Sequence, residues 1–174
     1  MKHILIVILG LILYSCNDLI EDLGIGEKSS ETGVNTAVYQ DLSRYGMKIA
    51  LTWPSDTLGD LKVKWNDHFG RVECSAGKHA DFFICNDIEN SIERKKFDLE
   101  TGVFSVQYIE EGEDLLFYKT TLPDGSAPYY HFHKSIGSGD EVYHFESNPL
   151  IEFTEKDVRF MIELVSQTLI LGQD

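Results

Sequence analysis

The chain has 174 residues, enough for one domain with a single core. Its 15 Lys and Arg stand against 29 Asp and Glu, a formal net charge of −14, and such a surface repels nucleic-acid phosphates and anionic lipid headgroups. Nucleic acid is therefore not an expected partner and a charged partner should be cationic, although acidity is also an ordinary means of staying soluble.

The chain opens Met1-Lys2-His3, continues with ten apolar or small residues from Ile4 to Leu13, and then reads Tyr14-Ser15-Cys16. A positive end, a short apolar run and a small residue before a cut have the order of a secretory signal. A membrane-spanning helix would need roughly 20 apolar residues. Leu13-Tyr14-Ser15-Cys16 resembles the lipobox of bacterial lipoproteins. That resemblance implies removal of residues 1–15, a diacylglyceryl group on the Cys16 thiol, and acylation of the new amine. Each buried methylene contributes about 0.8 kcal/mol, so several acyl chains on one residue hold stably where one holds marginally. The mature chain would then sit on a membrane without crossing it. Asn17 is not the aspartate that retains enteric lipoproteins at the inner membrane, so the outer membrane is the expected location in the cell envelope, with the side it faces left open. Asp18, Glu21 and Asp22 are similar to acidic export tags of some surface lipoproteins, but a plain solvated tether is the preferred reading.

Residues 16–36 carry Gly24, Gly26, Ser29, Ser30, Thr32 and Gly33 among acidic residues and have little to bury, so they are expected to form a flexible tether. Its reach is roughly 25 Å. Gly26-Glu27-Lys28-Ser29 lacks the Gly-Lys adjacency and the preceding strand of a phosphate loop. One α+β domain is expected over residues 37–174.

Within it, Met47, Ile49, Leu51 and Trp53 alternate with Lys48, Ala50 and Thr52, the period of a strand, which Pro54 ends. Leu61, Val63 and Trp65 give a second strand before the Asn66-Asp67-His68 turn. Arg71–Ala76 and Ala80–Cys85 flank a Gly77-Lys78-His79 turn. With that turn as pivot Cys74 faces Phe82, out of register with Cys85 for a disulfide, and neither cysteine has the close partner of a zinc site. Asn86, with Glu89 three residues on, has the spacing of a capping box opening a helix whose Ile88 and Ile92 face inward and whose Glu93, Arg94 and Lys95 face mostly outward. Phe104, Val106 and Tyr108 suggest a strand or a continuation of the helical region, Glu110 to Asp114 an acidic loop, and Leu115 to Leu122 another strand before the Pro123-Asp124-Gly125 turn. Two further strands, Ala127 to Lys134 and Glu141 to Glu146, join through Gly137-Ser138-Gly139. Thr154 caps a last helix with Asp157 at its third position, and Val158, Met161, Ile162, Val165 and Leu169 form a stripe that should lie on the sheet.

The strand ending in Trp53-Pro54, the central helix, Leu115-Leu116-Phe117-Tyr118, the aromatic hairpin Tyr129-Tyr130-His131-Phe132 with Tyr143-His144-Phe145, and the closing helix together resemble the PsbP-like fold over about residues 38–171. The resemblance implies an antiparallel sheet sandwiched by helices, in proteins that mostly bind or assemble other components. It carries over no catalytic residue, and no cofactor is expected.

One constellation has possible chemistry. If Tyr130 and Phe132 meet Phe145 and Tyr143, then His131 lies opposite His144, His133 opposite Val142 and Glu146 opposite Tyr129, which places His131, His133, His144 and Glu146 on one face. Three imidazoles and a carboxylate could bind zinc or another borderline metal, but the set is not a defined metal spacing, and it otherwise reads as the polar face of a hairpin or as a partner-facing patch. Ser126 and Ser138 lack the context of a nucleophile elbow. Glu110-Glu111 and Glu113-Asp114 read as a solvated turn, without the cleft of a glycosidase or the pattern of an EF-hand. The expected function is a non-enzymatic, lipid-anchored envelope protein binding a protein partner. Immunity to a secreted toxin, or capture of a solute or cell-wall ligand, are the alternatives.

Overall fold

The structure is a computed structural model that describes residues 37–86, 91–125, 127–139 and 141–172. The leader, Cys16, the tether, Ile88, Glu89 and Ser126 lie outside the described residues. The domain is α+β, with two antiparallel sheets and two helices of more than one turn among the described residues. A seven-stranded sheet has the order β3-β4-β5-β9-β8-β7-β6, from β3 (Lys62–Asn66), β4 (Arg71–Ala76), β5 (Ala80–Cys85), β6 (Ser105–Glu111), β7 (Leu115–Thr121), β8 (Tyr129–Ser138) and β9 (Glu141–Ser147). A three-stranded sheet holds β2 (Ile49–Pro54) between β1 (Ala37–Asp41) and β10 (Leu169–Ile170).

Helix α2 (Glu155–Ser166) has the capping box expected at Thr154 and Asp157, and Asp157 also meets His79 at 2.6 Å, tying the helix start to the β4–β5 turn. Its Val158, Met161 and Val165 are buried against Phe82, Phe132 and Phe145 of the large sheet and Trp53 of the small one, with Ile162 half-buried at the edge. Leu169 is a correction: the helix ends at Ser166, and Leu169 starts β10, half-exposed, where the chain runs back along Ala50 and Ile49. The opening strand likewise belongs to its own small sheet.

Helix α1 (Ile92–Glu100) is capped by Ser91, whose hydroxyl accepts the Arg94 N–H, while the capping-box spacing expected from Asn86 to Glu89 runs into residues outside the described ones. Ile92 packs on Leu116 and Tyr118 across the face opposite α2. Lys95, expected mostly outside, turns inward with it. The strands of the large sheet under both helices are therefore covered on both faces, which is why Leu115 to Tyr118 are four consecutive buried residues instead of an alternating set.

Glu110 and Glu111, expected in a loop, extend β6 past a bulge at Ile109, which shifts the register between Tyr108 and Glu110. Cys74 faces Phe82 as the Gly77 turn implies, and burial pushes its thiol well up. At the β8–β9 turn, Gly137 has φ +123° and a Cβ there would stand 2.0 Å from the Glu141 carbonyl oxygen, whereas Gly139, at φ +60°, has open space around it. Gly137→Ala is expected to destabilise the protein by about 3 kcal/mol and Gly139→Ala by only about 1 kcal/mol, measured by urea denaturation.

Candidate functional site

The β8–β9 register differs from expectation by four residues. His133 lies opposite Glu146, Lys134 opposite Phe145 and Ser135 opposite His144, while His131 faces Tyr118 across the β7–β8 ladder. A shift of four preserves the alternation of sides, so His131, His133, His144 and Glu146 do share a face even though their partners change. One cross-strand row runs through the whole sheet: Lys64, Glu73, Phe83, Glu146, His133, Leu116 and Glu111.

The histidines are not at the surface. His131 is 6 %, His133 1 % and His144 6 % exposed, on the side of the sheet that α1 covers. Lys95 of α1 forms an ion pair with Glu146, and Lys96 pairs with Glu111 at 2.5 Å, so the helix is pinned to β9 and β6. His144 Nδ1 lies 2.9 Å from Ser135 Oγ and its ring 5.6 Å from that of His133. His131 Nδ1 lies 3.4 Å from Ser147 Oγ, and its ring packs 5.6 Å from Tyr118. His133 Nδ1 is 3.8 Å from Glu146 Oε2, too long for a hydrogen bond, and neither nitrogen of this imidazole has a hydrogen-bond partner among the described residues.

Burial, reinforced by the Lys95 ammonium and opposed by Glu146, pulls His131 down to about 4. Burial alone would raise Glu146, but the imidazole of His133 and the ammonium of Lys95 beside it outweigh that and hold its carboxyl at about 2. His133 and Lys95 together decide the balance, since a carboxylate losing water needs donors or opposite charge beside it.

Where the cover of α1 ends, a cleft of about 200 Å³ opens beside His133, His144 and Glu146. Arg71, Phe83, Cys85 and the exposed Phe69 line the rest of it. The Arg71 guanidinium lies over the Phe83 ring at 3.4 Å and over Phe69 at 4.6 Å, and meets Glu73 at 3.3 Å. The cleft continues into an open trough of about 470 Å³ over β3, β4 and β5, where Lys62, Lys64, Glu73 and Asp81 line the floor and Leu150 stands on the rim. Among the described residues no three His, Cys, Asp or Glu side chains converge tightly enough to hold a metal ion.

Sequence reasoning missed Lys95, Arg71, Phe69 and Phe83. Lys95 had a signal, because Ile92, Lys95 and Leu99 are spaced three and four apart and share the inner face of α1. Comparison of the chain with family models, with curated proteins and with solved structures found no match.

The titrations have a definite sign. The unfolded chain takes up a proton on His131 near 6.5 while the folded state resists to about 4, so this stability is present above pH 6.5 and is lost as pH falls towards 4. Glu146 adds a second loss below about 4.5. Between pH 7.5 and 5 the protein is expected to lose about 2 kcal/mol more than His131→Gln does, measured by urea denaturation at each pH. Equal losses would show that His131 titrates alike in both states.

Proposed function

We propose that this protein is a non-enzymatic, lipid-anchored component of the bacterial cell envelope, held at the outer membrane through Cys16, whose domain docks a protein partner in the trough over β3, β4 and β5. The observation that carries the docking site is the pair of apolar side chains on its rim. Phe69 is 60 % and Leu150 90 % exposed. Leu150 is presented by a built turn: its N–H donates to the Asn148 side-chain oxygen at 3.0 Å, and the Asn148 amide donates to Asp81 at 3.0 Å. Large apolar groups held out into water beside a concave floor are the anatomy of an interface core.

The lining mixes Lys62, Lys64 and Arg71 with Glu73 and Asp81, so the floor itself has no single sign. The preference for a cationic partner follows from the net charge of −14, which acts on encounter at long range. The PsbP-like resemblance belongs to the same reading. It is supported by a large antiparallel sheet with α1 on one face and α2 on the other, and no described helix is long and apolar enough to cross a membrane. Within this proposal, neutralisation of a cationic secreted toxin is the sharper form.

Two measurements test it. Cys16→Ala is expected to move the protein from the membrane to the soluble fraction, and retention in the membrane contradicts the anchor. The detergent-extracted protein is expected to capture one envelope or secreted protein, with retention falling as salt rises and lost in Phe69→Ser/Leu150→Ser. Retention of a small molecule with no protein contradicts the docking reading.

A further inference from the structure

Helix α1 is held more lightly than the rest of the domain. It has nine residues and buries one of them, Ile92, in a small apolar cluster with Leu116 and Tyr118 that is separate from the main core, whereas α2 buries Val158, Met161, Leu164 and Val165 in that core. Its other ties to the sheet are the ion pairs of Lys95 with Glu146 and Lys96 with Glu111. An element with so few buried apolar contacts opens at a lower cost than the whole fold, and neither sheet depends on it for strand pairing.

What the helix covers responds to protons. His131 is buried beneath it, faced by Lys95 from α1, Glu146 and Ser147 from β9 and Tyr118 from β7, with His133 two places along β8 and the His144 ring of β9 packed against His133. The one carboxylate in this group is taken by Lys95. An imidazolium at His131 would be a second cation on that carboxylate, in a place without water. Lifting α1 takes the ammonium away and lets water in, and both changes favour the charged ring.

We propose that α1 is an acid-released lid: protonation of His131 favours a state in which the helix has left β8 and β9 while both sheets remain paired. Opening bares His131, His133, His144 and Glu146 and carries the cleft beside β5 across β9 to β8. The lid is independent of the docking site, which lies at the β3–β5 end that the helix leaves uncovered in either state. Closed, His131 titrates at about 4, and free of the helix it returns towards 6.5, so the open fraction rises about thirtyfold between pH 7.5 and 5. Glu146 keeps its charge to about 2 and takes no proton in this range.

The test is amide hydrogen exchange of the detergent-extracted full-length protein, read by mass spectrometry on peptides from α1 and β5. It is run at pH 7.5 and 5 and in urea below the unfolding transition, with times corrected for the intrinsic exchange rate at each pH. At both pH values α1 is expected to be less protected than β5 and less sensitive to urea, because its opening exposes less surface. Its protection is expected to fall about thirtyfold from pH 7.5 to 5, and less than about threefold in His131→Gln and in His131→Asn, which do not titrate. The comparison of α1 with β5 uses the wild type alone, so it holds whether or not a variant folds. The proposal is overturned if α1 and β5 share one protection and one urea dependence, if the protection of α1 is the same at both pH values, or if the variants lose as much as the wild type.

Discussion

The ion pair between Lys95 and Glu146 is the interaction on which the arrangement of this domain turns. The large sheet has one apolar face, closed by α2 and the small sheet, and one face that carries His131, His133, His144 and Glu146. A polar face cannot be covered by an apolar helix without stranding its charge, and an unpaired buried carboxylate is costly. Helix α1 solves this with a split surface. Ile92 and Leu99 pack on Leu116, Tyr118 and their neighbours at the β6–β7 end, while Lys95 sets an ammonium on Glu146. The histidines between these anchors are enclosed as a consequence, and the low titration of His131 follows from the same enclosure.

The helix is also too short to finish the task. Its nine residues make a rod of roughly 14 Å, whereas seven strands span roughly 29 Å. Its contacts run from β6 to β9, and the β3–β5 end of the same face bears no described helix. That end is where the Phe83–Arg71–Phe69 stack, the cleft and the trough are found. The candidate binding surfaces are therefore the uncovered remainder of a half-covered sheet, and their inner boundary is Glu146.

Much of the fold was legible locally. Alternation located β2 and β3, glycine turns set off β4 from β5 and β8 from β9, and a polar cap with a carboxylate three residues on located α2. Alternation assigns sides, not registers, which is why the shared face of His131, His133, His144 and Glu146 survived a pairing error of four residues. Burial of the histidines could not be read because the group that closes their face, Lys95, lies 51 residues from Glu146. Tyr130-His131-Phe132-His133 and Tyr143-His144-Phe145-Glu146 look like strands with one wet side until a helix is placed over that side.

The claim that α1 is clamped over the polar face through Lys95 and Glu146 is tested most directly by a double-mutant cycle on unfolding free energy, using Lys95→Met, Glu146→Gln and the pair. A coupling energy of about 1–2 kcal/mol at pH 7 is expected, with Lys95→Met alone the more damaging single change because it leaves a partly buried carboxylate beside His133. A coupling below about 0.3 kcal/mol, as for an exposed surface pair, would contradict the account.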